Sequence, residues 1–353
     1  MLCAPVFLAR GEALFHYCCM EYRLLGRTGV KVSELCLGCM TFGWSTGKED
    51  SYTMVDRALE AGINFFDTAN CYLRGVSEEV LGEALKRNGK RQRIILATKV
   101  HSQMADDDPN ARGSSRRHII EQCDASLRRL QTDYIDLYQL HRPTSEVPID
   151  ETLRALDDLI RAGKVRYIGT STFGAWQLVE SLWASKELGL NRFICEQPPY
   201  NLLDRRAERE VIPMAQTYGI GIIPWSPLGG GLLTGKYARN TPPPEGARYS
   251  SMEPWLKGRY HDGMFDVVEA LQPIAQEMGC KLSQLALAWC TQQAGVTSPI
   301  IGPRTLDQLE ENLGSLTVKF TPEILAKIDT ITIPGGMISR YHEADFGPHK
   351  YRW

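Results

Sequence analysis

Short apolar, β-branched runs alternate with longer helical patterns from residue 32 onward, and the alternation occurs eight times. The strand candidates are 32–37, 64–66, 94–98, 134–139, 165–169, 193–196, 220–224 and 298–301. The helical patterns include 77–87, 116–130, 150–162, 175–188, 205–218, 264–278 and 305–313. Eight β-then-α units predict a parallel sheet with helical crossovers, and eight is the number that closes a (β/α)8 TIM barrel.

An open doubly wound sheet is the alternative architecture. Such a sheet usually carries a glycine-rich fingerprint directly after its first strand. Here residues 38–43 follow that strand, and their two glycines lack the required spacing. The sequence therefore favours the barrel, with an active site at the carboxyl ends of the strands.

Residues 20–353 are predicted to form a single domain that begins with a short hairpin around Gly29. Residues 1–19 differ from the rest, and we interpret them as a disordered extension or as the product of an upstream start codon. They lack the basic start and long apolar core of a signal peptide. The connection 228–263, after the seventh strand, is unusually long, and loops of this length are usually lids or binding loops.

Composition excludes several classes of protein. A net charge of −2 lacks the basic excess of a nucleic-acid binder, and no apolar run is long enough to cross a membrane, so neither partner is expected. The 10 cysteines include no Cys-x-x-Cys pair followed by a second pair or by spaced histidines, so we expect no metal site. Reduced thiols in a cytoplasmic protein are the simplest interpretation. Whether the chain forms a homo-oligomer stays open.

Polar and aromatic residues occupy the strand ends, which point into the mouth of a parallel barrel. They are Asp67, Lys99, His141, Ser171, Thr172, Gln197, Trp225 and Ser226, with Tyr72 shortly after the second strand. Each alone has an ordinary interpretation, since an aspartate there usually caps a helix and a loop tyrosine usually packs. Together they indicate a proton-transfer site, because packing does not require so many polar groups in one mouth.

Four of these residues suit carbonyl chemistry. Tyr72 is a weak acid, and the Lys99 ammonium is expected to lower its pKa by stabilising the phenolate. Asp67 is expected to hold Lys99 charged and in place. His141 is expected to donate a hydrogen bond to a substrate oxygen.

A series of further motifs accompanies them in a fixed order. They are Phe66-Asp67-Thr68-Ala69, Ser77-Glu78, Leu81-Gly82, Thr98-Lys99, 115–119, 133–138, 163–169, Tyr200-Asn201, Trp225-Ser226-Pro227-Leu228, Gln308 and Glu311-Asn312. In this order they resemble the aldo-keto reductases over nearly the whole chain, from about Tyr22 to about Ile328. The likeness is greatest to the branch that holds potassium-channel β subunits and bacterial sugar-aldehyde reductases.

The resemblance implies a barrel that binds NADPH/NADP+ without a Rossmann fold and reduces a small carbonyl substrate. It implies that Tyr72 is the general acid, tuned by Lys99 and Asp67, and that His141 orients the carbonyl. The implied cofactor contacts are Ser171 and Gln197 at the carboxamide, Trp225 on the nicotinamide ring, Ser226, and the loop with Leu228 and Gly231 over the pyrophosphate. Those at the adenosine end are Arg304, Gln308, Glu311 and Asn312, where Arg304 suits a 2′-phosphate.

The chain departs from the family at Thr172, where Asn is common, and at Leu73-Arg74, where many relatives have Gly after the catalytic Tyr. Arg74 is either part of a basic rim for an anionic substrate or simply solvated. Gly230-x4-Gly235-Lys236 nearly matches a P-loop, but Tyr237 replaces the required Ser or Thr, so we reject that motif.

The substrate pocket is predicted only in outline. Trp44, Phe173 and Trp176 are the candidate lining residues, together with Trp255 and Tyr260, and local packing explains each equally well. Two other functions stay open: a cofactor-binding regulatory module of the channel β-subunit type, and a phosphate-handling barrel enzyme that forms a Schiff base at Lys99.

Overall fold

The computed structural model describes residues 20–250 and 259–340. Residues 1–19, the predicted extension, and Trp255 lie outside the described residues. The strands are β1 (Tyr22–Leu24), β2 (Lys31–Ser33), β3 (Cys36–Gly38), β4 (Phe65–Asp67), β5 (Ile95–Val100), β6 (Ile135–Leu140), β7 (Val165–Ser171), β8 (Phe193–Gln197), β9 (Gly221–Ile222) and β10 (Ile300–Ile301). The last eight pair in parallel in the order β10-β3-β4-β5-β6-β7-β8-β9.

The two ends of this sheet meet. The Ile300 amide donates to the Pro224 carbonyl oxygen at 2.8 Å, and Ile222 forms a parallel bridge with Val296. The sheet therefore curls into the predicted (β/α)8 barrel. The helices are α1 (Lys48–Glu60), α2 (Val76–Asn88), α3 (Arg116–Arg129), α4 (Ile149–Arg161), α5 (Ala175–Leu188), α6 (Val211–Tyr218), α7 (Asp262–Glu277), α8 (Leu282–Gln292), α9 (Leu306–Leu313) and α10 (Pro322–Ile331).

The predicted N-terminal hairpin is present and packs against one end of the barrel. β1 and β2 pair antiparallel, and the Leu25 amide donates to the Val30 carbonyl oxygen across the turn. Gly26 in this turn has φ +58°, and a Cβ there would lie 2.3 Å from the Ile194 carbonyl oxygen. Only glycine permits so close an approach of the hairpin to β8.

Strand residues alternate between two apolar layers. Phe65, Ala97, Leu137 and Cys195 belong to one buried cluster, which also contains hairpin residues, whereas their neighbours such as Phe66 and Leu96 belong to a larger cluster that includes the helices. The first cluster therefore fills the barrel. Two residues further along four of these strands stand Asp67, Lys99, Gln139 and Gln197, so the alternation places them on the inner face, one layer nearer the carboxyl ends.

Two predicted elements are divided in the structure. The strand predicted over 32–37 becomes β2 of the hairpin and β3 of the barrel, because the Ser33 side chain bonds to the Leu35 carbonyl oxygen and the chain turns between them. The helix predicted over 205–218 consists of a short 3-10 turn, Arg206–Glu208, followed by α6. The buried Arg205 guanidinium binds Glu208 and Asp329 at the start of this segment.

The long connection after the seventh barrel strand is also present. Its described part contains a 3-10 turn, Gly229–Thr234, and turns without regular structure up to residue 250. No helix within 20–250 and 259–340 combines the length and the apolar character needed to span a membrane.

Candidate active site

The structure brings the four predicted catalytic residues to one edge of the barrel. Asp67 ends β4, Lys99 lies in β5, and His141 follows β6 directly. Tyr72 begins a 3-10 turn, Tyr72–Gly75, that leads from β4 into α2. Because β4, β5 and β6 are parallel neighbours, their carboxyl ends meet at the same edge.

Lys99 is the centre of the contacts. Its ammonium is fully buried and donates to the Asp67 carboxylate, to the Thr68 carbonyl oxygen at 2.7 Å and to the Tyr72 hydroxyl at 3.3 Å. The ammonium therefore joins the carboxylate to the phenol.

Two glutamines complete the surroundings of Asp67. The side-chain amides of Gln139 and Gln197 each donate to the second Asp67 carboxylate oxygen at 3.0 Å. The Gln197 amide also donates to the Gln139 amide oxygen at 3.1 Å. Gly169 leaves the space these side chains need, since a Cβ there would lie 2.5 Å from the Cys195 sulfur and 3.3 Å from Gln139.

Burial and neighbouring charges set the pKa values of Lys99 and Tyr72. Burial alone would lower the pKa of Lys99, but Asp67 and Tyr72 together outweigh it, and the pKa lies above its usual value. The pKa of Tyr72 is also raised, chiefly by burial. Lys99 lowers the pKa of Tyr72 as predicted, but desolvation is the larger effect, so the pKa lies above its usual value.

His141 stands beside the Tyr72 ring. The two ring centroids are 5.6 Å apart and nearly perpendicular, and the Cys71 sulfur lies 3.5 Å from His141 Nδ1. Leu73 and Arg74, which follow the tyrosine, have φ values of +48° and +52°. Glycine would adopt this left-handed turn with less strain than the leucine at position 73.

The Arg74 side chain is exposed and pairs with Asp106 at 2.7 Å. This favours the solvated interpretation of Arg74 over a role in a basic rim.

Ser171 and Gln197, two of the residues predicted to meet the nicotinamide, lie next to the predicted catalytic residues. The Ser171 hydroxyl donates to the Gln197 carbonyl oxygen at 2.9 Å, and the backbone of Trp225 forms a parallel β-bridge with that of Pro199. Thr172 has φ +66°, an unfavourable value for a β-branched residue, and its hydroxyl accepts a hydrogen bond from Arg142 at 3.1 Å. The structure thus gives Thr172 an arginine partner at the position where the family commonly has Asn.

The glycine-rich turn follows Trp225. Ser226 has φ +55°, and its carbonyl oxygen accepts from the Asn201 side chain at 3.0 Å. Leu228 precedes the turn and is half-buried. Gly231 has φ +99°, and a Cβ there would lie 3.2 Å from Lys236 Nζ, so the turn provides a cradle that a side chain would fill.

Of the four predicted adenosine contacts, Arg304 reaches the long connection that follows the seventh barrel strand, and Glu311 has partners elsewhere. The Arg304 guanidinium donates to the Gly246 carbonyl oxygen at 2.8 Å, and the Gln308 side chain accepts from the Arg304 amide. Glu311 instead pairs with Lys281 at 2.7 Å and with Ser283, both at the start of α8. Asn312 is buried.

The predicted pocket residues are scattered. Phe173 is buried and lines a cavity with Leu140 and Gln177, whereas Trp44 is 67% exposed and Trp176 is 42% exposed. Tyr260 packs in an aromatic cluster whose other members are Tyr237, Tyr249 and Phe265. Local packing is therefore the better explanation for Tyr260.

Sequence reasoning missed four polar residues at this edge of the barrel. Gln139 interrupts the apolar β6, Glu196 precedes the predicted Gln197, and Arg142 follows the predicted His141. Glu196 is fully buried, and burial raises its pKa to about 7. Lys236 belongs to the rejected P-loop motif, yet burial and the charge of Arg304 lower its pKa, which places the two cations near each other.

Comparison with known proteins identifies the family of the chain. The model of the Aldo/keto reductase family matches residues 34–333. An uncharacterized oxidoreductase of Bacillus subtilis, YrpG, is 39% identical over 90% of this chain and 98% of its own length. A probable voltage-gated potassium channel subunit beta of Oryza sativa is 38% identical over 88% of this chain and 96% of its own length.

A putative potassium channel subunit beta of Schizosaccharomyces pombe is 40% identical over 88% of this chain and 93% of its own length. The family match extends over most of the described barrel and includes the positions of all four predicted catalytic residues. The chain belongs to the Aldo/keto reductase family.

Proposed function

We propose that this protein reduces aldehydes or ketones to alcohols with NADPH. The contact of the Tyr72 hydroxyl with Lys99 Nζ at 3.3 Å carries the proposal. The raised pKa of Tyr72 keeps the phenol protonated at neutral pH, as a general acid for reduction requires. The Lys99 ammonium stabilises the phenolate that remains after the proton leaves, and Asp67 keeps that ammonium in position.

The residues present fit a nicotinamide dinucleotide. Lys236 and Arg304 are cations close to each other, and neither forms an ion pair with a carboxylate within the described residues, which suits a 2′-phosphate. The Gln197 amide oxygen accepts no hydrogen bond from the described residues and is open to the carboxamide. Trp225 would hold the ring, and Gly231 would leave room for the pyrophosphate. When bound, NADPH supplies the hydride for the carbonyl carbon.

The test is the Tyr72→Phe variant assayed with NADPH and a panel of aldehydes and ketones. We expect turnover to fall by at least about 1,000-fold, because the acid is lost, while NADPH binding followed by fluorescence changes little. Wild-type turnover in this variant would show that another group is the acid.

A regulatory role is the second candidate, because several relatives bear the name of potassium channel β subunits. Cofactor binding without measurable turnover on the whole panel would favour this role over the reductase. A Schiff base at Lys99 has less support. The raised pKa of Lys99 disfavours the neutral amine that such chemistry needs.

A further inference from the structure

Arg142 places a guanidinium beside the catalytic residues. It follows His141 at the end of β6, and one of its terminal nitrogens donates to the His141 carbonyl oxygen at 2.6 Å and to the Thr172 hydroxyl at 3.1 Å. Its guanidinium carbon lies 5.9 Å from the centre of the Trp225 ring. The guanidinium therefore stands between the carbonyl-orienting histidine and the proposed nicotinamide platform.

This cation has no carboxylate partner within 4 Å among the described residues, although it is half-buried. The two nearby acids have other partners. Asp67 binds Lys99, and Glu196 accepts from the Thr170 hydroxyl at 2.5 Å and the Phe173 amide at 3.1 Å. Only one Arg142 nitrogen is hydrogen-bonded within the described chain, so the other two can donate to a ligand.

Burial lowers the pKa of the Arg142 guanidinium, and nearby acidic groups, Glu196 among them, offset only part of that effect. His101 follows β5, and burial together with Arg142 and Arg112 lowers its pKa to about 4. It is therefore a neutral imidazole near neutral pH, with one N–H to donate. His101 and Arg112 also line an open depression of about 540 Å³, whose acidic lining residues are Asp106, Asp107 and Glu146. A half-buried guanidinium in such surroundings costs free energy unless an anion pairs with it.

We propose that Arg142 is a specificity-determining residue that selects short carbonyl compounds bearing an oxyanion, a carboxylate or a phosphate, a few bonds from the carbonyl. This inference rests on the proposed reductase function and names its substrate class. The guanidinium meets the oxyanion with its two remaining donor nitrogens, while Tyr72 and His141 hold the carbonyl oxygen. Arg142 acts in binding and takes no part in proton transfer.

The experiment compares matched substrates that differ in charge. The carboxylate pair is 4-oxobutanoate and butanal, and the phosphate pair is glyceraldehyde 3-phosphate and glyceraldehyde. Since a charge-assisted hydrogen bond is worth about 10- to 100-fold, we expect Arg142→Gln to lower kcat/KM for the charged member by that factor more than for the neutral member, mainly through KM. Arg142→Lys should recover only part of the preference, because it keeps the charge but loses the planar fork.

Arg74→Gln is the matched control, since Arg74 is an exposed arginine in the turn after Tyr72 and pairs with Asp106. It should leave the charge preference unchanged. The pair with the larger Arg142-dependent preference identifies the oxyanion as carboxylate or phosphate. Binding of 4-hydroxybutanoate to the NADP+ complex, measured by calorimetry, should be lost in Arg142→Gln even where turnover is slow.

Three results would overturn the inference. They are equal use of charged and neutral substrates by the wild type, an equal loss for both in Arg142→Gln, and a loss explained by weaker NADPH binding in that variant. These results are distinct from failure of the proposed function, which would appear as no turnover of any carbonyl compound, charged or neutral. In that case, absence of 4-hydroxybutanoate binding to the wild type would overturn the Arg142 site as well.

Discussion

Two regions of the barrel mouth differ in whether their charged side chains have partners of opposite charge within the chain. The catalytic edge, formed by Asp67, Tyr72, Lys99, Gln139 and Gln197, satisfies its charges internally: both Asp67 oxygens and the Lys99 ammonium have partners within the chain. The nucleotide face is formed by Gly231, Lys236 and Arg304. It places two cations near each other, and neither has a carboxylate partner in the described parts of the chain.

The two regions therefore differ in what stabilises them: folding in one case and ligand binding in the other. The catalytic edge is organised by folding itself, because its residues stand on neighbouring strands and their burial would be costly without the contacts between them. The nucleotide face consists of turns, and we propose that only an anion provides its two cations with a partner of opposite charge. Substitutions at the catalytic edge should therefore affect both stability and turnover, whereas those at the nucleotide face should affect affinity alone.

The largest effect is expected for Lys99→Met at the catalytic edge. The variant leaves the Asp67 carboxylate buried without its cation, so the free energy of unfolding should fall by about 3–5 kcal/mol. Turnover should fall by at least about 1,000-fold, because the phenolate loses its stabilising charge. Chemical denaturation and NADPH oxidation measure the two losses.

The double variant Lys99→Met with Asp67→Asn separates these two losses. With both charges gone, most of the stability should return while turnover stays low. If the Lys99→Met protein were as stable as the wild type, the Asp67 carboxylate would not depend on the Lys99 ammonium as its partner.

A second effect concerns Glu196, which is fully buried and accepts a hydrogen bond from the Thr170 hydroxyl. Its pKa is raised from 4.5 to about 7 in the folded protein, chiefly by burial. Between these pH values the unfolded chain releases the proton and the folded chain keeps it, so stability falls as pH rises through this window and is level above it. The free energy of unfolding of the wild type, relative to Glu196→Gln, should fall by on the order of 3 kcal/mol from pH 4 to pH 8.

Urea denaturation at each pH measures the difference. Thr170→Val provides the control, because it removes a hydroxyl donor that lowers the Glu196 pKa, and the window should then extend to higher pH. Parallel stability curves for the wild type and Glu196→Gln would show that Glu196 does not titrate differently in the two states.

The sequence indicated the fold and the catalytic edge because both follow from strand periodicity. Asp67, Lys99 and His141 were found by locating the strand ends, and the contact of Tyr72 with Lys99 follows from the turn after β4. The sequence predicts that Lys99 lowers the pKa of Tyr72, but the direction of the net shift depends on the balance between burial and this neighbouring charge. That balance is a property of packing, which periodicity does not contain.

The nucleotide face was less predictable, because turns bring distant segments together without a periodic signal. Lys236 and Arg304 lie far apart in the chain, and only folding brings Arg304 near enough to lower the pKa of Lys236. The sequence also gave no indication that Glu311 pairs with Lys281. Arg142 and Glu196 had a usable signal, since each is adjacent to a predicted site residue.

A third effect belongs to the nucleotide face. Arg304→Ala should weaken NADPH binding by about 10- to 100-fold and NADH binding much less, because only NADPH carries the 2′-phosphate that the guanidinium suits. The unfolding temperature of the protein without cofactor should hardly change, in contrast to Lys99→Met. Fluorescence titration with both cofactors measures the affinities, and equal losses for NADPH and NADH would remove Arg304 from the 2′-phosphate site.

The smallest effect is the stabilisation expected when inorganic phosphate binds in place of the nucleotide. If the charges of Lys236 and Arg304 become satisfied only by an anion, phosphate at about tenfold its Kd should stabilise the cofactor-free protein by about 1.4 kcal/mol. Lys236→Met should lose much of this gain in thermal unfolding, whereas Arg74→Gln, which alters an exposed arginine paired with Asp106, should keep it. Chloride at equal ionic strength controls for screening. An unchanged phosphate effect in Lys236→Met would mean that the nucleotide face, like the catalytic edge, is already satisfied in the folded chain.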